Sequence, residues 1–289
     1  MLWIPITVAA ASLQVARNAF QRGLLAGARP WGATLVRFLF GLPFSALFVI
    51  VAIGLAPHAQ PTFSRRFWLA CAIGGGAQIL GTAAMLVSMR RSSFALGTVF
   101  QQSGIPLAAV FGAAFGDHLS PARWFGLALV AAALAVLSWP RGGARWSAAP
   151  LGLAAGAGFA LASNAYRQSA LALDPTHPVL AAQITLFTVQ AMQSAALVAW
   201  LALRDRAALI AAVRPWRASL AAGFFGAAAS GLWFTAFALS PAGPVRAVGV
   251  VEAPVAALAG RRVFAEKLSP WQWLAAITAA CGVGLAALG

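Results

Sequence analysis

Residues 119–124, Leu-Ser-Pro-Ala-Arg-Trp, and residues 268–273, Leu-Ser-Pro-Trp-Gln-Trp, are two copies of one turn, and each precedes an apolar segment. In both copies Ser occupies the place of a helix N-cap, and Pro follows at the first helical position. The copies start 149 residues apart, which is about half of the 289-residue chain. This spacing predicts that the protein consists of two copies of one structural unit.

The similarity between the halves extends beyond the turn. Asn18-Ala19-Phe20 is repeated as Asn164-Ala165-Tyr166, and Pro106 has a counterpart in Pro254. The first turn follows Asp117-His118, and the second follows Glu266-Lys267. If each copy contains an odd number of membrane helices, the second copy must be inverted relative to the first, as in many secondary transporters.

The composition is that of an integral membrane protein. Hydrophobic residues make up 61% of the chain and charged residues only 9%, whereas about a quarter of a soluble domain is charged. The net charge of +15 does not indicate nucleic-acid binding, because the basic residues lie mostly between apolar segments, where membrane proteins place them. The chain has no nucleotide-binding motif, and its three histidines lie far apart, so we expect neither a cofactor nor a metal ion.

Apolar segments of about the length that a bilayer requires occur ten times along the chain. We therefore predict an all-α integral membrane protein with ten transmembrane helices in two inverted five-helix repeats, residues 1–145 and 146–289. The predicted segments are 2–24, 33–53, 67–89, 94–115, 121–139, 149–171, 179–203, 216–239, 244–264 and 270–288.

Polar side chains inside these segments are candidates for a substrate site, because they are costly in hydrocarbon unless they face protein or water. In the first segment, Gln14, Arg17 and Asn18 share one helical face. The residues predicted to line a central cavity are Gln14, Arg17, Asn18, Arg37, Gln78, Gln101, Gln102, Asn164, Gln183, Trp233 and Arg246. The alternatives are hydrogen bonds between helices for the amides, snorkelling for Arg37 and Arg246, and a lipid-facing or core ring for Trp233.

Glu252 is the one carboxylate deep within an apolar segment. It could carry a proton, balance a cationic substrate, or form an ion pair with an arginine. Arg246 is six residues away, about 120° around an α-helix, so the spacing does not make it a same-face partner. Arg17 and Arg37 are better candidates on this reasoning.

The segment from Val251 to Leu258 (VEAPVAAL), continuing through Phe264 to Ser269 (FAEKLS), resembles the signature of EamA-type members of the drug/metabolite transporter superfamily. Lys267 stands where Arg is usual. The first half departs further, with Gly104 in place of a glutamate near Pro106 and Asp117-His118 in place of Glu-Arg. The resemblance implies ten helices in two inverted halves around a central cavity, and export of small metabolites or drugs.

The expected function is therefore that of a secondary transporter that exports small metabolites, amino acids or drug-like compounds by alternating access. The expected partners are a small-molecule substrate and the lipid bilayer of a bacterial-type inner membrane, in which the chain is a multi-pass monomer. The alternatives are a non-transporting scaffold, a channel or an integral-membrane enzyme. We do not expect an enzyme, because paired carboxylates and metalloprotease motifs are absent from the sequence.

The charge distribution predicts that both termini lie on the periplasmic side of the membrane. Loops after the odd-numbered segments hold most of the basic residues, and by the positive-inside rule these loops are cytoplasmic. The resemblance implies the opposite orientation, with both termini inside. A reporter that is active only in the cytoplasm, fused to the C-terminus, should be inactive if the charge count governs insertion. Full activity would show that the orientation implied by the family is correct.

Overall fold

A computed structural model describes residues 1–24, 30–91, 103–137, 149–252 and 270–289. Every regular element in these ranges is a helix. The helices are α1 (Trp3–Leu24), α2 (Pro30–Leu39), α3 (Leu42–Leu55), α4 (Arg65–Arg91), α5 (Gly104–Ala114), α6 (Pro121–Leu137), α7 (Ala149–Leu173), α8 (Pro178–Arg204), α9 (Arg206–Val213), α10 (Trp216–Leu239), α11 (Ala242–Val248), a 3₁₀ turn (Gly249–Val251) and α12 (Pro270–Leu288).

The all-α prediction is confirmed for the described residues, and four helical stretches are long and apolar enough to cross a membrane. They are Thr34–Leu55, Arg65–Met85, Pro178–Arg204 and Ser219–Leu239. The other predicted segments also contain helix, but residues 94–102, 138–139 and 253–264 of those segments lie outside the described ranges. Ten complete spans therefore remain a prediction.

The second predicted segment, residues 33–53, is not one continuous helix. It is divided into α2 and α3 at Phe40-Gly41, where the Gly41 N–H donates to the Phe38 carbonyl at 3.2 Å. Pro43 explains the break, because proline lacks the N–H that would donate to the carbonyl of Leu39, and its ring clashes with that carbonyl. Pro43 instead lies in the first turn of α3, where no intrahelical donor is required.

Helix α9 was not predicted, since residues 204–215 were interpreted as a connection between two segments. Asp205 starts this helix by accepting a hydrogen bond from the Ala208 N–H at 3.1 Å. The side chain thus satisfies one of the N–H groups that a helix start leaves without a partner. A helix of eight residues is about 12 Å long, far too short to cross a bilayer.

The described helices divide into two compact units. Unit 1 comprises residues 1–79 and 165–239, and unit 2 comprises residues 80–164 and 240–289. Each unit takes helices from both halves of the chain, and α4 and α7 each contribute to both units. A compact unit need not coincide with a repeated part of the sequence, so the repeats 1–145 and 146–289 remain a prediction.

In unit 1, α1 lies along α10, and α8 packs against α2, α3 and α10. The apolar core between α2 and α8 contains Leu35, Phe38, Leu197 and Leu201, all almost completely buried. Small side chains line the contact of α1, where Ala10 and Ala11 are fully buried. This packing brings the polar face of α1 toward protein.

In unit 2, the closest packing joins α6 and α12, the two helices that follow the repeated Leu-Ser-Pro turns. Helix α6 begins at Pro121, as predicted, and Pro270 is the first described residue of α12. The predicted cap is confirmed at the first turn, where the Ser120 hydroxyl accepts from the Arg123 N–H at 3.2 Å. Ser269 lies outside the described residues.

Glycine permits the contact between α6 and α12. A Cβ atom on Gly282 would lie 2.7 Å from the Gly126 carbonyl oxygen and 2.9 Å from the Val130 nitrogen. Those neighbours are backbone atoms, so neither can rotate away. Close approach of backbones at small residues is the usual basis of helix association in lipid.

Gly282→Val should destabilise the protein because its side chain would force α6 and α12 apart. Overpacking of this kind costs about 1–3 kcal/mol. The matched control is Gly284→Val on the same helix, since nothing lies within 4 Å of a Cβ at that position. Thermal unfolding of the purified protein in detergent should show a lower midpoint for the first variant only. Equal midpoints for the two variants would contradict the packing described.

Candidate functional site

The polar face of α1 is directed toward α10 in unit 1. Gln14 accepts a hydrogen bond from the Trp233 indole N–H at 3.1 Å, and Trp233 stacks on Phe237 with ring centroids 5.7 Å apart. Arg17, one turn further along, is only 7% exposed. Two residues predicted from separate segments, Gln14 and Trp233, are therefore in direct contact.

A second polar cluster, the Tyr166 hub, joins α4, α7 and α8. The Tyr166 hydroxyl lies 2.8 Å from Gln78 Oε1 and 3.0 Å from the Gly74 carbonyl, so its single proton is shared between two acceptors. Gln193 Nε2 donates to Gln78 Oε1 at 2.8 Å and to the Gly75 carbonyl at 3.1 Å. The predicted residue Gln78 is the acceptor at the centre of this network.

The Tyr166 ring is in contact with two neighbours. It stacks on Phe234 with centroids 4.1 Å apart. It also lies against α4 at Gly74, where a Cβ would be 2.5 Å from a ring carbon. The hydroxyl position is therefore fixed by packing as well as by hydrogen bonds.

Two arginines meet beside Gly226 of α10. A Cβ built on Gly226 would lie 3.7 Å from Arg17 Cδ and 3.7 Å from Arg37 Cγ. Arg37 belongs to the last turn of α2, and its guanidinium is close enough to Arg17 and Tyr166 for electrostatic interaction with both. The predicted residues Arg17 and Arg37 are thus neighbours, and we refer to them as the arginine pair.

The two carboxylates of unit 1, Asp174 and Asp205, lie at helix ends. Asp174 Oδ1 accepts from the N–H groups of Thr176 and His177, and its Oδ2 is 2.8 Å from His177 Nδ1. Burial raises the pKa of Asp174, but the hydrogen bonds from Thr176 and His177 outweigh it and hold that pKa below its ordinary value. Asp174 is therefore ionised at neutral pH, in the turn before α8.

Gln183 and Asn164 form hydrogen bonds between helices. This is the alternative that the sequence left open for the amide side chains, beside lining a cavity. Gln183 Nε2 donates to the Gly231 carbonyl and to Thr235 Oγ1, at 3.2 and 3.1 Å, and so joins α8 to α10. In unit 2, Asn164 Nδ2 donates at 2.9 Å to the carbonyls of Ala108 and Ala160 and so joins α7 to α5.

Arg246 and Glu252 are close enough for electrostatic interaction within unit 2, although their spacing on a regular α-helix does not predict a shared face. The local geometry departs from that of a regular α-helix. Residues Gly249–Val251 form a 3₁₀ turn, in which each residue advances about 120° instead of 100°. Three such steps reduce the angular separation of the two side chains from about 120° to about 60°. Arg246 also approaches α5, where its Nη2 would be 3.3 Å from a Cβ on Gly104.

Three predicted site residues fall wholly or partly outside the part of the chain that the structure describes. Gln101 and Gln102 lie outside the described residues, and the same holds for the side chain of Asn18. The open cavities beside α9, of about 530 and 460 Å³, are lined by residues such as Ala207, Ile210 and Arg214. None of the predicted site residues lines either of them.

Sequence reasoning missed the importance of Tyr166 and Gln193. A signal for the first was available, because Tyr166 is the only tyrosine in the chain and lies within an apolar segment. For Gln193 there was none, since its partner Gln78 is 115 residues away in sequence.

A solved structure, described only as "Crystal structure of protein", superposes on this chain with a TM-score of 0.69 at 20% sequence identity. The alignment covers 100% of this chain and 99% of that one. No family model matches the chain, and no curated protein matches it. Over its described residues the molecule is therefore all-helical, with four helical stretches long and apolar enough to cross a membrane, and the chain shares its fold with that structure.

Tyr166→Phe should lower the stability of the protein while leaving its packing unchanged. The ring stack on Phe234 is retained, and the hydrogen bond to Gln78 is lost, at a cost of about 1 kcal/mol. Tyr166→Leu removes the ring as well and should cost more. Thermal unfolding in detergent measures both effects, and an unchanged midpoint for Tyr166→Phe would show that the hydroxyl contributes nothing.

Proposed function

We propose that this protein is a multi-pass membrane transporter of the EamA type, which exports small metabolites or drug-like compounds by alternating access. The observation that carries the proposal is the buried polar network of unit 1. The arginine pair, the Tyr166 hub and the contact of Gln14 with Trp233 all lie on helices that are otherwise apolar. Such groups are costly in a membrane interior and are characteristic of substrate pathways.

The packing within each unit supports the inverted repeat. If segments 1–5 correspond to segments 6–10, then α3 and α8 are equivalent helices, as are α5 and α11, and α6 and α12. Each of these equivalent pairs is in direct contact, the first in unit 1 and the other two in unit 2. A helix contacts its own equivalent where both lie at a pseudo-two-fold axis, which is the arrangement expected of an inverted-repeat transporter.

Glu252 is the candidate coupling residue in this proposal. It follows the 3₁₀ turn and interacts electrostatically with Arg246. A carboxylate paired with an arginine can be structural, or it can exchange its partner for a proton or a substrate during transport. The substitution Glu252→Gln distinguishes the two roles, because it keeps the shape of the side chain and removes its charge.

We expect cells that overproduce the protein to release specific small metabolites, and we expect Glu252→Gln to abolish that release at near-normal expression. Mass spectrometry of the medium, compared with an empty-vector strain, would identify the compounds, and counterflow in proteoliposomes would establish carrier-mediated exchange. Asp174→Asn is the matched control, since it removes a carboxylate outside the apolar segments.

The other outcomes are equally informative. Poor expression or a lower thermal midpoint for Glu252→Gln would indicate a structural ion pair, because an arginine would lose its partner. Normal expression with unchanged transport would remove Glu252 from the mechanism. Absence of counterflow by the wild-type protein, for every compound enriched in the medium, would contradict the proposed function.

A further inference from the structure

We propose that the exposed face of α9, with Arg214 directly after its last residue, is a binding site for an anionic phospholipid of the surrounding membrane. The headgroup phosphate contacts Arg214, and an acyl chain lies along the apolar side chains beside it. This inference goes beyond the proposed function and concerns a surface that none of the predicted site residues lines. All of its residues belong to unit 1.

Helix α9 rests on the protein by a face of small residues. Ala208 and Ala212 are buried, and they lie one turn apart against α2. A Cβ on Gly32 of α2 would be 3.1 Å from the Ala208 carbonyl oxygen and 3.6 Å from Ala212 Cβ. Because successive residues of an α-helix are about 100° apart, Ile210 lies almost opposite this contact, and its side chain is 63% exposed.

The exposed face of α9 borders the two open cavities of about 530 and 460 Å³. Ile210 and Arg214 line both of them, and every other lining residue among those described is an alanine, an aliphatic residue or a proline. Ala207, Ile210 and Arg214 follow one another at intervals of three and four residues, which places them on one side of the helix. The surface is thus an apolar groove with one cation at its end, and a molecule with an anionic head and a hydrocarbon tail matches it.

The neighbours of α9 in the chain place it at the surface of the bilayer. It directly follows α8 and soon precedes Ser219–Leu239, and both are among the stretches long and apolar enough to cross a membrane. With 27 residues, α8 is about 40 Å long, whereas the hydrocarbon core is about 30 Å thick. A helix that crosses the core at this length also extends into the headgroup region, where α9 begins.

Exposed tryptophans mark the same level on both sides of α9. Trp200 precedes it and Trp216 follows it, and both rings are exposed. Indole rings are enriched at the boundary between hydrocarbon and headgroups. Arg204 and Arg217 lie over these two rings, 5.5 and 5.4 Å from their centroids. A short helix at this depth, with apolar side chains on its free face, is suited to lie in the plane of the interface, so the molecules that reach the groove are lipids.

The charge of the segment selects an anionic lipid. Arg204, Arg206, Arg214 and Arg217 are all exposed, and residues 204–217 contain one carboxylate. That carboxylate belongs to Asp205, which accepts a hydrogen bond at the start of α9. A guanidinium forms charge-assisted, bidentate hydrogen bonds with phosphate oxygens. Each arginine near an anionic membrane surface strengthens binding about fivefold, whereas the cationic group of a zwitterionic lipid offsets its phosphate.

The test compares two lipids that share their acyl chains and differ in headgroup charge. Dioleoyl phosphatidylglycerol and dioleoyl phosphatidylcholine are titrated onto the full-length protein in detergent, and native mass spectrometry counts the lipids that remain bound. We expect the wild-type protein to retain the first phosphatidylglycerol at least fivefold more tightly than phosphatidylcholine. Glycerol phosphate, which lacks acyl chains, should not displace the lipid at the same concentration, because it cannot use the apolar groove.

Two variants test the two parts of the site. Arg214→Gln should weaken phosphatidylglycerol binding about fivefold and leave phosphatidylcholine binding unchanged, whereas Ile210→Asn should weaken the binding of both lipids. The matched control is Arg65→Gln, which removes an exposed arginine at the start of α4 and should change either affinity less than twofold. All three side chains are exposed, so the thermal midpoint without added lipid should stay that of the wild type.

The proposal is overturned if phosphatidylcholine is retained as tightly as phosphatidylglycerol by the wild-type protein, a comparison that requires no variant to fold. It is also overturned if Arg65→Gln weakens binding as much as Arg214→Gln, or if glycerol phosphate displaces the lipid. A dimer that Ile210→Asn dissociates would show that the groove joins two copies of the chain instead. None of these measurements involves transport, so each outcome is independent of the proposed function.

Discussion

Close approach at glycine is the constraint on which the packing of this protein depends. Apolar helices in lipid gain nothing by hiding from the solvent around them, so they associate through van der Waals contact and a few polar bonds. At Gly282 the backbone of the neighbouring helix α6 lies within contact distance, and at Gly74 two carbons of the Tyr166 ring lie against α4. Because the helices are this close, the Tyr166 hydroxyl reaches Gln78.

The polar groups of unit 1 follow from that packing. The face of α1 that carries Arg17 lies along α10, and the end of α2 places Arg37 against the same helix, so the stems of the two side chains meet at Gly226. Neither arginine is brought there by a local motif. In unit 2, the 3₁₀ turn after α11 lies between Arg246 and Glu252, which interact electrostatically.

Helix positions were largely predictable from the sequence, and contacts between helices were not. Where the described residues include a helix end, apolar length usually located it to within a few residues, and α6 begins at Pro121 of the first Ser-Pro turn as expected. Pro43 itself is a sequence signal for the break between α2 and α3, but the apolar length of the segment favoured one continuous helix. Asp205 is likewise a sequence signal for the start of α9, but this helix is too short to be recognised from the length of its apolar segment. The hydrogen bond between Gln78 and Gln193 joins residues far apart in sequence. It was not predictable because hydrophobic periodicity shows which residues share a helix face, and does not show which helices meet.

The division between α2 and α3 has a mechanical consequence. Bending a continuous helix breaks its i to i−4 hydrogen bonds, but at Phe40-Gly41 that ladder is already interrupted, with Gly41 bonded to Phe38 and no donor at Pro43. With lengths of ten and fourteen residues, the two pieces are about 15 and 21 Å long, and each is shorter than the hydrocarbon core. The junction is therefore the point in this segment where bending breaks the fewest backbone hydrogen bonds, and α2 and α3 are each held against α8 on either side of it.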